Sequence, residues 1–202
     1  MTMKKYLPYQ DVKNKLLSIP DAEHRGFLCL TYAVMGRVGE VLRHRLDQAD
    51  AIEWINPPIR AEDMRVIRTR KGHKLISISV LTEKVNQIRN VPVFPQTEWW
   101  LIQPFWKRKQ EIKKGFLYNY STRWGEKIFE KYFGTQDIHS LRHWRITHLR
   151  QGEVTGKPID SAIVARMAGH TNLNSQRAYD HSVIFDFADD LIDNYYTGGM
   201  TT

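Results

Sequence analysis

The chain has 202 residues, of which 42% are hydrophobic, so it is long and apolar enough to form the packed core of one domain. Its formal net charge is +8 and its pI is about 9.6, a balance that favours a polyanionic partner. The single cysteine, Cys29, excludes an internal disulfide. No apolar run reaches the length of a membrane span.

The charge is unevenly distributed along the chain. Residues 183–202 contain four aspartates and no lysine or arginine, so residues 1–182 carry a net charge of +12. In the same tail, apolar residues recur at helical spacing. We therefore expect one basic domain over residues 1–182 and an acidic amphipathic helix within residues 183–202.

The N-terminal half predicts helices followed by a hairpin. Pro20-Asp21 opens a first helix, Gly36 interrupts it, and residues 37–46 are predicted as a second helix. Strands are predicted over residues 65–70 and 74–80, because apolar residues alternate with serines in the second of them.

The C-terminal half predicts helices with clear start and stop residues. They run from Ser121 to Tyr132, from Ile138 to Arg150 and from Asp160 to Ala168, and each is followed closely by a glycine. A further short helix carries Tyr179, whereas residues 92–106, rich in proline and tryptophan, are not assigned. The fold class is therefore α+β, mostly helical, with one small antiparallel sheet.

His139 and Arg142 lie three residues apart on a predicted helix and so share one face. A guanidinium presents a planar fork of donors that matches phosphate oxygens, and an imidazole transfers protons near neutral pH. So short a pattern is also typical of a solvated helix face, and on its own it decides nothing.

Gly169, His170 and Tyr179 form a second polar segment. Gly169 ends a helix and places His170 at a corner, and Tyr179 follows on the next short helix. A tyrosine is a poor nucleophile at its ordinary pKa of about 10, so it needs a base and positive charge nearby. His139, His170 and the arginines could supply both, although Tyr179 alone would be taken for a packing residue.

Taken in order, these segments resemble the catalytic domain of the tyrosine recombinase (phage integrase) family. The matching elements are Arg37 and Glu40 in Gly36-Arg37-Val38-Gly39-Glu40, Lys71 on the hairpin, His139 and Arg142, Gly169-His170, and Tyr179. The resemblance covers roughly residues 20–182. It implies that family's catalytic-domain fold.

The resemblance also implies a role for each matched residue. Tyr179 would attack the scissile phosphate, form a 3′-phosphotyrosyl link and release a 5′-hydroxyl. Arg37 and Arg142 would hold the non-bridging oxygens, and Glu40 would support the arginines from behind. Because the energy of the broken bond stays in the phosphotyrosine, neither ATP nor a metal ion is expected.

Proton transfer would fall to the remaining matched residues. Lys71 would protonate the departing 5′-oxygen as general acid. Lys74 is its rival, since both lysines flank the same turn. His139 would assist proton removal from the tyrosine, and His170 would bind the phosphate.

Further basic residues are candidate contacts to the DNA backbone. They are His73, Lys74, Lys107, Arg108, Lys109 and Arg145. A basic run such as residues 107–109 is equally typical of a solvated face. Arg145 is also a candidate structural residue of its helix.

The function implied by the resemblance is that of a site-specific DNA recombinase or integrase. Its partners would be double-stranded DNA, further copies of itself as a dimer or tetramer on that DNA, and accessory DNA-bending or directionality proteins. We expect a cytoplasmic, nucleoid-associated protein without membrane contact. Only about twenty residues precede the first catalytic helix, too few for the N-terminal clamping domain of most such enzymes.

Other functions stay open at this point. A type IB topoisomerase would use the same nucleophile to relax supercoils, although the Gly-His before Tyr179 favours a recombinase. A DNA-binding regulator with an inactive site is a second alternative, and a basic RNA-binding protein is a third. The acidic tail would pack either onto a neighbouring protomer or onto its own domain.

Overall fold

The computed structural model describes residues 6–42, 45–48, 51–54, 58–82, 87–135, 137–169 and 188–196. The helices in these ranges are α1 (Tyr9–Leu17), α2 (Ala22–Ala33), α3 (Val38–Val41), α4 (Pro95–Ile112), α5 (Thr122–Phe133), α6 (His139–Gln151) and α7 (Ser161–Ala168). The strands are β1 (Arg45–Gln48), β2 (Ala51–Trp54), β3 (Met64–Arg68), β4 (Lys74–Leu81) and β5 (Ile88–Val93).

Helix α2 lies at the centre of the hydrophobic core. Its start is fixed by Asp21, whose carboxylate accepts a hydrogen bond from the His24 amide at 2.8 Å. The second half of α2 is apolar on every side and is buried, as expected for a helix surrounded by protein. Helices α1, α3, α4 and α6 all contact it.

Strands β3, β4 and β5 form an antiparallel sheet in that order. Central strand β4 buries Leu75, Ile76, Ile78 and Val80. The sheet confirms the predicted hairpin, whose turn carries Lys71 to the edge of the molecule.

Two parts of the chain differ from the sequence-based prediction. The predicted helix over residues 37–46 is wrong beyond its first turn: α3 ends at Val41, and Leu42 takes an extended conformation. Residues Arg45–Gln48 instead pair with Ala51–Trp54 as a second, two-stranded sheet, so the single predicted sheet was incomplete.

The unassigned, proline-rich stretch forms the end of β5 and the start of α4. Pro95 occupies the first turn of α4, where a missing amide hydrogen costs nothing. The predicted ends of α5 and α7 are confirmed. Ser121 and Asp160 accept hydrogen bonds from the first turns of α5 and α7, and Gly134 and Gly169 end these helices at φ of +73° and +70°.

The C-terminal segment, residues 188–196, is helical over residues 188–191 and continues as a π-helical turn, Ile192–Tyr196. Ala188 and Leu191 are fully buried in the core of the same chain. Among the described helices, none is both long enough and apolar enough to cross a lipid bilayer.

Candidate active site

The turn between α2 and α3 brings Arg37 into position. Met35 has a φ of +50°, which is unusual for a residue with a side chain, and the Gly36 amide donates to the Thr31 carbonyl at 3.1 Å. This closes the end of α2 as a tight turn. Arg37 then starts α3 with its side chain 22% exposed.

Glu40 lies in the next turn and binds the arginines with a buried carboxylate. It accepts hydrogen bonds from Arg37 Nη1 at 2.8 Å and from the Arg37 amide at 3.0 Å. Burial opposes its ionisation, but the positive charge of Arg89 and the hydrogen bonds from the Arg37 amide and the Arg89 side chain outweigh burial and lower the Glu40 pKa. Glu40 is therefore ionised at neutral pH.

Arg142 reaches the same place from α6. Its Nη1 lies 3.9 Å from Glu40 Oε2 and donates to the Met35 carbonyl, while its Nη2 donates to the Ala168 carbonyl at 2.6 Å. The side chain is 2% exposed. The structure thus brings Arg142 to Arg37 and Glu40, although Arg142 lies far from these two residues in the sequence.

Arg89 is a member of this cluster that the sequence analysis missed. From β5 its Nη2 lies 3.0 Å from Glu40 Oε2, and its Nη1 donates to the carbonyls of Val34 and Met167 at 2.8 and 2.6 Å. A sequence signal does exist, because Arg89 shares the buried face of β5 with Val91 and Val93. That signal depends on recognising residues 88–93 as a strand, which the sequence pattern does not predict.

The cluster has more positive than negative charge. Three guanidiniums surround the one carboxylate of Glu40. Burial, together with the charge of Arg89, lowers the pKa of Arg142 to about 10, so Arg142 still carries its proton at neutral pH. A buried excess of positive charge favours an anionic ligand, and phosphate suits a guanidinium best.

His139 is the first residue of α6, one turn before Arg142. It is partly buried, and its ring packs edge-on against that of His143 with the centroids 4.7 Å apart. The imidazole is therefore positioned near the start of the helix that also carries Arg142.

Lys71 faces the C-terminal segment. Its Nζ forms an ion pair with Asp193, and its amide donates to Asp189 Oδ2 at 3.2 Å. The hydrogen bond that Lys71 donates to Asp193, together with the negative charge of Asp193, raises the Lys71 pKa. His73 also lies 3.6 Å from Asp193, whereas Lys74 begins β4 with an exposed side chain.

The remaining candidate DNA contacts fall into two groups. Lys107 is exposed on α4, Lys109 lies over the Trp106 ring at 4.9 Å, and Arg108 forms an ion pair with Glu23 at 2.7 Å. Arg145, in contrast, is 1% exposed and holds Glu98 at 2.6 Å. Its burial does not fit a contact with DNA and favours the structural alternative.

His170 and Tyr179 lie outside the described residues. Helix α7, which precedes them in the sequence, ends at Ala168. The carbonyls of Met167 and Ala168 accept hydrogen bonds from Arg89 and Arg142, so the chain leaves α7 beside the arginine cluster. Among the described residues, no group of three or more histidines, cysteines or carboxylates is suited to hold a metal ion.

Comparison with known proteins gives a match at the level of the fold. No protein-family model matches the sequence, and no curated protein matches it either. A solved FLP recombinase–Holliday junction complex matches with a TM-score of 0.54 and 13% identity, over 92% of this chain and 50% of that one. The chain therefore spans about half the length of that recombinase. Its fold is similar to that of this FLP recombinase, in agreement with the fold expected from its sequence.

Proposed function

We propose that the chain is a DNA strand transferase of the recombinase or integrase type, which cuts and rejoins DNA through a covalent link to Tyr179. The observation that carries the proposal is the convergence of Arg37, Glu40 and Arg142. Two guanidiniums from distant segments meet at one carboxylate, beside the end of the helix that leads to His170 and Tyr179. The solved recombinase of the same fold is bound to a Holliday junction, which supports DNA as the ligand.

In the proposed reaction, the Tyr179 oxygen attacks the phosphorus of the scissile phosphate. The bond to the 5′-oxygen breaks, a 3′-phosphotyrosyl link forms, and the 5′-oxygen leaves with a proton from Lys71. Arg37, the most exposed of the three clustered arginines, makes the first contact with the non-bridging oxygens. Arg142 stabilises the charge that develops there.

The histidines complete the proposed proton transfers. His139 assists removal of the tyrosine proton, and His170 binds the phosphate. A second DNA strand with a free 5′-hydroxyl then attacks the phosphotyrosine and restores the phosphodiester. The proposed reaction consumes no ATP and needs no metal ion, because the phosphotyrosine link retains the energy of the broken phosphodiester.

The test is covalent trapping on DNA. The full chain is incubated with a randomised library of nicked duplexes that lose a short fragment on cleavage, and adducts that resist SDS are collected. We expect adducts with the wild type and with Tyr195→Phe, which alters a tyrosine of the C-terminal segment. Tyr179→Phe should form none. An adduct that survives Tyr179→Phe would overturn the assignment of the nucleophile.

The DNA sequence recovered from these adducts allows a second experiment, which distinguishes a recombinase from a topoisomerase. Once a cleaved site is known, it is placed twice in one plasmid. A recombinase joins the two sites and changes the connectivity of the DNA. A type IB topoisomerase would relax supercoils at either site without joining them, and that outcome would contradict the proposal.

We also propose that residues 184–196 link protomers on DNA. In the single chain, residues 188–196 pack on their own domain, and Asp193 binds Lys71 through an exposed ion pair. Such surface pairs contribute little stability and exchange easily, and their release would free Lys71 for proton donation. Deleting residues 184–202 should weaken self-association on DNA, and unchanged association would contradict this proposal.

A further inference from the structure

Arg89 is a buried charged residue in the middle of the core. It is 2% exposed and points from β5 toward the turn after α2. A buried charge is costly unless it is paired and hydrogen-bonded. Arg89 meets that requirement with partners from three separate segments.

Each of these partners lies next to a residue of the candidate active site. Glu40 binds Arg37, Val34 precedes the turn that leads to Arg37, and Met167 lies three residues before His170. One guanidinium thus fixes the start of α3 and the end of α7 relative to the sheet.

Arg89 and the Arg37 guanidinium bind opposite oxygens of the same carboxylate, while the Arg37 amide shares Oε2 with Arg89. Arg37 Nη1 binds Glu40 Oε1 at 2.8 Å, and Arg89 Nη2 binds Oε2 at 3.0 Å. Because Arg89 and the Arg37 amide both hold Oε2, the plane of the carboxylate is set and Oε1 is aimed at the Arg37 guanidinium. Arg89 is too deeply buried to be the first contact for a ligand, whereas Arg37 is 22% exposed.

Gly169 lies directly against Arg89. A Cβ atom at Gly169 would be 2.7 Å from Arg89 Cδ, closer than nonbonded carbons approach. The absence of a side chain at Gly169 lets the arginine run beneath the end of α7. The Arg89 side chain therefore occupies the space that a side chain at residue 169 would need.

We propose that Arg89 is a positioning residue of the phosphate site: through Glu40 it orients Arg37, and through the Met167 carbonyl it places the end of α7 from which His170 follows. The inference rests on the proposed function and extends it to a residue outside the motifs of the sequence analysis. Lysine would keep the charge but lose the planar fork that joins Glu40 to two carbonyls.

The test compares Arg89→Lys and Arg89→Met with Arg145→Met in the full chain. Arg145 is equally buried and binds Glu98, so its variant reports the loss of a buried arginine away from the cluster. Two quantities are measured at a temperature where each variant is folded. One is the single-turnover rate of adduct formation on a nicked duplex, together with the Kd for that duplex. The other is the rise in Tm caused by inorganic phosphate, relative to chloride at equal ionic strength.

We expect both Arg89 variants to form the adduct about 10²-fold more slowly, as for a misplaced reacting group, with the Kd for DNA changed less than about threefold. The phosphate-dependent rise in Tm should fall in both Arg89 variants and persist in Arg145→Met. Full rescue by Arg89→Lys, or an equal loss of rate in Arg145→Met, would overturn the positioning role.

The two proposals fail in different ways. An adduct with the wild type and an unchanged rate in the Arg89 variants would refute the inference and leave the proposed function standing. No adduct with the wild type would refute the proposed function. In that case the phosphate titration would still test the positioning role of Arg89. An equal rise in Tm for the wild type and both Arg89 variants would refute that role.

Discussion

The carboxylate of Glu40 lies among the guanidiniums of Arg37, Arg89 and Arg142, and two of these guanidiniums are almost completely buried. In Glu40→Gln the buried positive charges lose their counter-ion while the shape of the side chain is kept. Removing one partner of a buried ion pair costs about 3–5 kcal/mol. We expect a loss of that size in the free energy of unfolding, measured by urea denaturation.

The control for this variant is Glu111→Gln. Glu111 is a half-exposed carboxylate that lies 3.9 Å from Arg108, so its loss should change the free energy of unfolding by less than about 1 kcal/mol. Equal and small effects in the two variants would mean that Glu40 does not compensate the buried arginines.

The neutral imidazole of His148 connects the N-terminal residue Leu7 to Tyr32 in the core through two hydrogen bonds. Its Nε2 donates to the Leu7 carbonyl at 2.8 Å, and its Nδ1 accepts from the Tyr32 hydroxyl at 2.7 Å. Burial lowers the His148 pKa, helped by the charge of Arg145 and opposed by the Leu7 carbonyl and Glu153.

Because the folded protein holds His148 neutral, the unfolded chain takes up its proton first as the pH falls. The contribution of His148 to the free energy of unfolding is complete above the ordinary histidine pKa of about 6.5. Below that pH it declines by at most about 1.4 kcal/mol per pH unit. The stability difference between the wild type and His148→Gln should therefore shrink from pH 7.5 to 5.5 in urea denaturation. A constant difference would contradict the neutral assignment.

At the scale of the elements, the end of α7 is held more tightly than an ordinary helix end. Gly169 and Gly134 both end helices with nearly the same φ, but a Cβ would clash with Arg89 only at Gly169 and would meet nothing at Gly134. Alanine at either position strains the backbone by about 1–2 kcal/mol. Overpacking adds about 1–3 kcal/mol more at Gly169.

We expect Gly169→Ala to lower the Tm clearly more than Gly134→Ala, as measured by thermal unfolding followed with circular dichroism. Gly134→Ala serves as the control for backbone strain alone. The same loss in both variants would contradict the close packing of Arg89 beneath α7.

The elements that the sequence predicted correctly are those with local signals. Asp21, Ser121 and Asp160 cap helices through bonds to amides two or three residues away, and the hairpin follows from alternation within β4. The helix predicted over residues 37–46 was wrong beyond Val41, because its last two residues, Arg45 and Leu46, belong to a strand that pairs with residues 51–54. Such a partner is not visible within the segment itself.

The candidate site was predictable in part for the same reason. Arg37, Glu40 and Arg142 belong to short motifs, and the structure brings them together. Arg89 and the buried pair of Glu98 with Arg145 belong to no motif, and their partners lie 47 or more residues away in the sequence. Only the packing of α2, β5, α4 and α6 identifies these residues as buried.

On the scale of the whole molecule, the chain combines a basic body with an acidic C-terminus. Four aspartates lie within residues 183–202, and two of them, Asp189 and Asp193, bind Lys71 on the hairpin. The tail therefore covers positive charge on the domain that we propose to bind DNA. Lys71, the proposed proton donor, is therefore free to act only when the C-terminal segment releases its ion pair.

The most direct test of the account is to locate the covalent bond to DNA. The trapped adduct is digested with nuclease and then with a protease that cleaves before aspartate, and the peptides are analysed by mass spectrometry. Cleavage before Asp160 and Asp180 yields residues 160–179, in which Tyr179 is the only tyrosine, while Tyr195 and Tyr196 fall in another peptide. The account predicts a nucleotide remnant on residues 160–179. A remnant on any other peptide, or none on a wild-type protein that binds the same DNA, would contradict it.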